Sequence, residues 1–278
     1  MEKKRLLVSM RVEIRFRHYS LRTEQTYNQW VRRFIFFHNK RHSGEMGEKE
    51  ISLFLTHLAV ERNVAAATQN QALSALLFLY KHVLKLNLEW LDNVVRAKRP
   101  ERLPVELTQA GVADILGNTD GVNGLIARLI YGTGMRKMEC LRLRVTDIDF
   151  EYQQIHVRSG KGNKDRITLL PVSIIPQLRS QLESTAALHK IDLKEGYGEV
   201  ELPHALERKY PNAGWEWRWQ YAFPATRRSV DPRTGVIRRH HCYDTNVSRA
   251  IKQAVHSLHI QKHVGVHTLR HTFATHLL

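Results

Sequence analysis

The sequence predicts a mostly α-helical protein with a small β-hairpin, an α+β fold class arranged in two domains. Apolar side chains recur at helical spacing through the first hundred residues and again in several segments after residue 107. Residues 153–171 instead form two short runs around a Gly-Asn turn, which is typical of a β-hairpin. Residues 95–106 carry two prolines and no periodicity, so we expect a basic linker there.

The N-terminal domain, residues 1–94, is expected to be a bundle of three or four amphipathic helices. Thr68 is the predicted N-cap of one of them, because its hydroxyl can accept a hydrogen bond from a helix N-terminus. Basic residues on the outer faces include Arg32 and Arg33, which are candidate contacts for an anionic partner. The apolar positions that predict the helices are Tyr27, Trp30, Val31, Phe34 and Phe37, then Ile51, Phe54, Leu55 and Leu58, then Leu73, Leu76, Leu77, Tyr80 and Leu84.

The second domain, residues 107–278, is expected to begin with a helix capped by Thr108. Further helices are predicted at "GLIARLIYGTGM", near residues 172–189, at "NVSRAIKQAVHSL" and in the closing segment. Residues 192–243 show no helical periodicity and are rich in Trp, Arg, Pro and His. Five aromatic residues between Trp215 and Phe223 argue against disorder, and an irregular stretch of this length is typically functional.

The charge of the chain is large and unevenly distributed. The formal net charge is +16, of which residues 1–100 contribute +9 and residues 201–278 contribute +7, while the middle hundred residues balance. Two basic ends, mostly arginine, favour a long polyanion such as nucleic acid as the partner. A soluble basic protein with solvated basic faces is the alternative interpretation.

The cysteine content and hydropathy indicate the compartment. Two cysteines, Cys140 and Cys242, argue against a disulfide scaffold and fit a reducing cytoplasm. No apolar run reaches the length of about 18 residues that a membrane-spanning helix needs. The basic N-terminus has too short an apolar stretch for a signal peptide. We therefore expect a cytoplasmic, nucleoid-associated protein with no membrane partner.

Four residues in three separate stretches suggest phosphoryl-transfer chemistry. Arg136 follows a Gly-Thr-Gly turn, and Glu139 three residues later can orient it. Lys161 lies between two glycines at the tip of the hairpin, and His267 and Arg270 share one side of the last helix. Alone, such a His–Arg pair is often no more than a solvated helix turn. Together, two arginines can neutralise the non-bridging oxygens of a phosphate while a lysine protonates the leaving oxygen.

Other phosphate chemistries are less well supported. No acidic cluster for two-metal catalysis and no phosphate-loop motif stand out, so we expect no metal and no cofactor. A metal-dependent nuclease stays a minor alternative, because the chain has sixteen histidines and places His267 and His271 four residues apart.

These stretches resemble the tyrosine recombinase family. "GTGMRKMECLRLRVTDID" resembles its first arginine box, "GKGNKDR" its hairpin lysine and "HTLRHTFATHLL" its His-x-x-Arg box. The resemblance covers nearly the whole chain. It implies a helical SAM-like core-binding domain and a tyrosine-recombinase catalytic domain that clamp double-stranded DNA, with four protomers bringing two sites together. It also implies that the catalytic residues are Arg136, Lys161, His267 and Arg270, with Glu139 in support.

A finer resemblance concerns residues 203–241, which are similar to the insertion peculiar to integron integrases, about residues 192–243 of this chain. That bacterial subfamily inserts and excises gene cassettes of mobile elements and recognises a folded single-stranded cassette site with protruding bases. Near those bases or the DNA backbone the resemblance places Trp219, Pro232, Arg238, Arg239, His240 and His241. An aromatic face can stack an extruded base for roughly 1–3 kcal/mol. A small satellite core is the alternative interpretation of the Trp cluster.

The family cleaves DNA with a tyrosine beyond the His-x-x-Arg box, which forms a 3′-phosphotyrosine intermediate. None of the nine tyrosines of this sequence lies beyond Arg270, and the last of them is Tyr243. We therefore expect either a partial sequence of a complete recombinase or a truncated DNA-binding product without activity. The residues before Arg270 do not discriminate these two interpretations.

Overall fold

The computed structural model describes residues 2–86, 97–98, 105–158, 164–202 and 204–277. The chain divides into two compact units, residues 1–102 and 103–278, and each has its own buried apolar cluster. The predicted boundaries of 1–94, 95–106 and 107–278 stay a prediction, since most of the predicted linker lies outside the described residues.

The described part of the N-terminal unit consists of helices joined by short connections. Helix α1 spans Glu2–Phe16, α2 spans Leu21–Phe37, α3 spans Glu48–Thr56 and α4 spans Ala66–Phe78. The π-helical turns His57–Glu61 and Leu79–Val83 continue α3 and α4.

One apolar face of α2 organises the core of this unit. Trp30, Val31 and Phe34 are buried, as their helical spacing predicts. The fully buried ring of Phe34 lies edge-on to Phe54 at a centroid distance of 5.6 Å and to Tyr80 at 6.4 Å. These rings join α2 to α3 and to the turn after α4, so three predicted helices share one core.

The ends of these helices follow the capping rules at one position and depart from them at another. The Ser20 hydroxyl accepts the backbone N–H of Thr23 at 3.1 Å and caps α2. The prediction that Thr68 is an N-cap is wrong, because α4 begins at Ala66 and Thr68 lies inside its first turn. The residue that precedes α4, Ala65, has no side chain that can cap it.

The C-terminal unit packs its helices around the buried helix α6. On α6, Leu125, Ile126 and Leu129 are almost completely buried. The Thr108 hydroxyl accepts the N–H of Gly111 at 3.1 Å, which confirms its predicted role as a cap. The helices of this unit are α5 Gln109–Gly117, α6 Gly121–Thr133, α7 Lys137–Leu141, α8 Ile175–Lys194, α9 His204–Lys209, α10 Asp244–Ser257 and α11 Val266–His276.

A small antiparallel sheet lies between α7 and α8 in the chain. Its strands are β1 Ile148–Asp149, β2 Gln154–Val157 and β3 Arg166–Leu169, in the order β1-β2-β3. In the register of β2 and β3, residue 154 lies opposite residue 169 and residue 157 opposite residue 166. The predicted turn, residues 159–163 with Lys161, lies outside the described residues.

Residues 192–243 are ordered by short elements rather than long helices. The segment contains the end of α8, the short helix α9 and a two-stranded ribbon of β4 Ser229–Val230 and β5 Ile237–Arg238. Four buried residues form a satellite cluster: Val200, Leu202, Ala213 and Tyr221. The predicted fold class, mostly α with small antiparallel sheets, is confirmed. Within the described ranges, no helix has both the length and the apolarity that crossing a membrane requires.

Candidate functional site

A sharp turn between α6 and α7 starts the site. Gly134 ends α6 in the left-handed conformation, with a φ of 63°. A Cβ at Gly134 would lie 2.6 Å from ring carbons of Phe273, so glycine serves both the turn and the close approach of α11. The turn places Arg136 at the N-cap of α7.

Glu139 on α7 is shared by two arginines from different elements. Its Oε2 accepts the backbone N–H of Arg136 at 2.8 Å, and its Oε1 accepts Nη1 of Arg136 at 2.7 Å. From β3, Arg166 donates Nη2 to Oε2 at 2.6 Å and Nη1 to Oε1 at 3.1 Å. The Glu139 side chain is only 8% exposed, so its charge needs these partners.

The protonation of Glu139 follows from these contacts. Burial raises the pKa of Glu139, but the hydrogen bonds from Arg166 and Arg136 outweigh burial and hold the pKa at about 2. Glu139 is therefore a carboxylate throughout the neutral pH range and balances part of the arginine charge.

Helix α11 presents the His-x-x-Arg pair. The Thr268 hydroxyl accepts the N–H of Gly265 at 3.1 Å and closes the first turn. Leu269 is fully buried and anchors the helix against the core of the unit. His267 and Arg270, one turn apart, lie on the less buried side, where His267 is exposed and Arg270 is half-buried.

The electrostatic couplings place this pair beside the arginine box. The pKa of Arg270 is lowered by burial and then by the nearby Arg136, while Glu139 opposes the shift. The pKa of His267 is lowered by burial and then by Arg270, with smaller effects from other cations, so the imidazole is neutral at pH 7. We call Arg136, Arg166 and Arg270, gathered around Glu139, together with the neighbouring His267, the cationic cluster.

A second contact fixes the start of α7 to α10. Lys137 donates its Nζ to Asp244 Oδ2 at 2.9 Å and to Ser248 Oγ at 3.1 Å. Because Lys137 follows Arg136 directly, this tether restrains the backbone that carries the arginine. The sequence reasoning did not identify Lys137.

The cationic cluster is suited to an anionic, tetrahedral group. Arg136 and Arg270 carry planar forks that match phosphate oxygens, and a neutral imidazole beside them can donate or accept a proton. The predicted Lys161 lies outside the described residues, so its position relative to the cluster stays a prediction. Among the residues that the structure describes, no group of three or more His, Cys, Asp or Glu could hold a metal ion.

The predicted base-contact residues form a second group of side chains. The rings of His240 and His241 are 4.1 Å apart, and both lie within 6 Å of the Tyr221 ring, at 5.3 and 5.6 Å. Burial lowers the pKa of His241 to about 4, although the hydrogen bond with the C=O of Cys242 acts in the opposite direction. Trp219 packs against the satellite cluster and stays partly exposed. We call Trp219, Tyr221, His240 and His241 the aromatic group.

The other predicted contacts have different surroundings. Arg238 donates Nη2 to Glu199 Oε1 at 2.5 Å, and Arg239 forks onto Asp192 at 2.5 and 2.7 Å. Both guanidinium groups are therefore engaged within the protein. Pro232 is exposed on the ribbon between β4 and β5.

In the N-terminal unit, the two arginines predicted to contact DNA are exposed on α2. Arg32 and Arg33 both lie on its solvent-facing side. The guanidinium carbon of Arg33 lies 4.9 Å from the centroid of the Trp30 ring, a cation–π contact that supports the side chain at the surface.

Arg166 is the main site residue that sequence reasoning missed. It follows Lys161 in the quoted "GKGNKDR", yet nothing local distinguishes it from a solvated strand arginine. The available signal is that Arg166 and Thr168 share one face of a predicted strand, which points both to the same neighbour.

The cationic cluster suits a phosphate group, and comparison with known families identifies the class of protein to which this fold belongs. The sequence profile described as "Phage integrase, N-terminal SAM-like domain" matches residues 6–90, and that described as "Phage integrase family" matches residues 106–278. The chain therefore belongs to the phage integrase family, the tyrosine recombinases, which confirms the family predicted from its motifs.

Similar proteins agree with this assignment. An "Integrase/recombinase" of Escherichia coli is 51% identical over 274 residues, covering 99% of this chain and 81% of that protein. A protein of the same description from Pseudomonas aeruginosa gives the same values. A solved lambda integrase tetramer bound to a Holliday junction is 16% identical with a TM-score of 0.57, covering 98% of this chain and 71% of that one. That likeness shows the fold alone.

Proposed function

We propose that this chain is an integron-type site-specific recombinase that cleaves and rejoins DNA to insert and excise gene cassettes. The observation that carries the proposal is the cationic cluster, in which Arg136 and Arg270, far apart in sequence, are coupled around one buried carboxylate. Membership of the tyrosine recombinase family supports the DNA-recombining activity.

The proposed chemistry assigns a role to each residue. Arg136 and Arg270 bind the non-bridging oxygens of the scissile phosphate and stabilise the charge of the five-coordinate transition state. His267 supplies a hydrogen bond to the same phosphate, and Lys161 protonates the departing 5′-oxygen. The nucleophile implied by the family is a tyrosine, whose oxygen forms the 3′-phosphotyrosine bond as the 5′-oxygen leaves.

The proposed partners are DNA and further copies of the chain. Double-stranded recombination sites and folded single-stranded cassette sites are the proposed substrates, and a homo-tetramer is the proposed assembly. The solved lambda integrase is itself a tetramer on a Holliday junction, which supports this proposal by fold. We place the activity in the bacterial cytoplasm, at the nucleoid.

The aromatic group supports the integron-type part of the proposal. All four of its residues lie in the segment that resembles the integron insertion. With their pKa values lowered by burial, His240 and His241 are neutral at pH 7, which favours stacking on a base. The Arg144 guanidinium carbon lies 4.7 Å from the Tyr221 centroid and adds positive charge beside the rings.

The chemical roles are tested with Arg270→Ala in the product of the full open reading frame that contains these residues. We expect DNA binding within about threefold of the unaltered protein and cleavage reduced by at least roughly a hundredfold, because the arginine acts mainly in the transition state. Binding is measured by gel shift and cleavage by trapping of the covalent intermediate on a nicked site.

Arg179→Ala is the matched control, since Arg179 is exposed on α8 and stacks on Phe150, which is not a residue of the cluster. Equal losses of binding and cleavage in Arg270→Ala would contradict the catalytic assignment. Absence of cleavage in the unaltered product would favour a DNA-binding protein without activity.

The integron-type part is tested with Trp219→Ala. We expect affinity for a hairpin with protruding bases to fall by about tenfold, and affinity for a plain duplex to change little, because only the hairpin offers an unstacked base. Trp215→Ala is the control, because Trp215 is an exposed tryptophan of the same segment outside the aromatic group. Equal effects of Trp219→Ala on both DNAs would remove the base-stacking role.

A further inference from the structure

Strand β3 is tied to the arginine box by two side chains on one of its faces. Arg166 spans both oxygens of Glu139, at 2.6 and 3.1 Å. Two residues on, the Thr168 hydroxyl donates to the backbone C=O of Thr133 at 3.0 Å. Alternate residues of a strand point to the same side, so both contacts hold β3 against the end of α6 and the start of α7.

Because Glu139 pairs with two arginines, only part of the Arg136 guanidinium group is bound to it. Arg166 uses two nitrogens in a fork-on-fork pair, whereas the side chain of Arg136 uses Nη1 alone. The Arg136 side chain is 33% exposed. The shared carboxylate thus orients Arg136 while its other N–H groups stay available to a ligand.

Loss of Arg166 would change this balance. Glu139 is almost completely buried, and without Arg166 its charge would have one guanidinium partner in place of two. The carboxylate would then be free to turn and accept a second bond from Arg136, which would draw the Arg136 fork toward the protein. Loss of Arg166 would also remove the ion pair that holds the start of β3 to α7.

We propose that Arg166 is a positioning residue of the recombination reaction: it holds Glu139 in a bidentate ion pair, so that the Arg136 fork faces the scissile phosphate. This inference rests on the proposed function of Arg136. Arg166 is assigned to act through Glu139, because both of its terminal nitrogens donate to that carboxylate.

The test uses the product of the full open reading frame and four variants: Arg166→Gln, Arg166→Lys, Glu139→Gln and the double variant Arg166→Gln/Glu139→Gln. Single-turnover cleavage is measured on a site with a normal scissile phosphate and on one with a methylphosphonate, which lacks one charged oxygen. The methylphosphonate DNA needs less guanidinium stabilisation. A displaced Arg136 fork should therefore slow its cleavage less than cleavage of the normal DNA, whereas a smaller folded fraction should lower both rates equally.

We expect Arg166→Gln to slow cleavage of the normal phosphate by up to roughly a hundredfold, the scale of a misplaced catalytic group. The loss on the methylphosphonate should be several-fold smaller. In the Glu139→Gln background, Arg166→Gln should add less than about twofold, because a residue acting through Glu139 has nothing left to hold. Arg166→Lys should recover only part of the rate, since an ammonium cannot span both oxygens.

Arg158→Gln is the matched control. Arg158, directly after β2, pairs with the buried Asp147, directly before β1, at 2.5 Å, so its loss removes a similar ion pair outside the cationic cluster. We expect a comparable fall in Tm with the cleavage rate within about twofold of the unaltered protein.

Two results would overturn the inference. Equal losses on both DNAs would mean that Arg166 only supports folding, and a further large loss in the Glu139→Gln background would mean that Arg166 acts on the phosphate directly. If Arg166→Gln does not fold, Arg166→Lys is compared on the same two DNAs. Failure of the proposed function is separate, because the unaltered protein would then not cleave either DNA, or Arg270→Ala would lose binding and cleavage equally.

Discussion

At the scale of single residues, Glu139 determines the charge balance of the site. Its folded-state pKa of about 2 lies below the ordinary value of 4.5. A depressed carboxyl pKa contributes stability that is fully present above about pH 4.5 and is lost as the pH falls toward 2. At neutral pH one carboxylate therefore balances only part of the charge of Arg136, Arg166 and Arg270, so the cluster keeps a positive excess for an anion.

The protonation of His267 depends on pH and on this excess of positive charge. Burial and the neighbouring Arg270 lower the pKa of His267, so the free folded protein holds the imidazole neutral where the unfolded chain begins to protonate it. Stability from this group is therefore present above the ordinary histidine pKa of 6.5 and is lost as the pH falls below it. A bound phosphate would reverse the shift, because it favours the imidazolium.

We therefore predict that DNA binding takes up a proton at His267. Affinity for the recombination site should rise as the pH falls from about 7.5 to about 5.5, and His267→Gln should remove part of that rise. Gel shifts across this pH range at constant salt measure the effect. His263→Gln, an exposed histidine before α11, should keep the full slope. An unchanged slope in His267→Gln would place the phosphate elsewhere.

At the scale of elements, the turn at Gly134 sets the distance between α11 and α6. Gly134 has a φ of 63°, and the Phe273 ring occupies the space that a Cβ would need. Since Phe273 and Arg270 share α11, a ring that cannot rotate away from a new Cβ would shift the helix that carries the His-x-x-Arg pair.

Gly134→Ala is predicted to destabilise the protein more than Gly121→Ala. Both glycines have a φ near 60°, so each alanine is strained by roughly 1–2 kcal/mol, but a Cβ at Gly121 meets nothing within 4 Å. The contact with Phe273 should add about 1–3 kcal/mol at Gly134. Urea unfolding of both variants measures the difference.

A cavity of about 570 Å³ borders Phe273 and offers room for its ring, which would lead to the opposite result. If the ring swings into that cavity, the two variants will be equally stable, and α11 will not depend on Gly134 for its position.

At the same scale, ion pairs also hold residues 192–243. Asp192 at the end of α8 is 3% exposed and accepts the fork of Arg239, while Arg238 bonds to Glu199 beside β5. These pairs fix the strand that leads into His240 and His241. A DNA contact by Arg238 or Arg239 would have to share an existing partner, so that predicted role stays a prediction.

At the scale of the whole molecule, the charge distribution agrees with the family. The excess of +9 in residues 1–100 and +7 in residues 201–278 lies in both units, and each unit has its own core. Binding of a polyanion by both units would make affinity strongly dependent on salt, because each neutralised phosphate releases counterions.

The sequence by itself determined the fold class and the family, and it predicted the site residues of the first arginine box and the His-x-x-Arg box. Helical spacing identified α2, α6 and α11 because their buried faces are continuous along the chain. Arg136, His267 and Arg270 were predicted as site residues because each lies in a short motif whose neighbours in sequence carry the signal.

Only the tertiary structure decided how those residues are held. The pairing of Arg166 with Glu139 joins residues 27 positions apart, and that of Arg239 with Asp192 joins residues 47 apart. Local spacing carries no information about such a pair, because a charged side chain on a strand or loop is equally compatible with solvent and with a buried partner. The choice is made when packing removes one carboxylate from water and brings the nearest guanidinium to it.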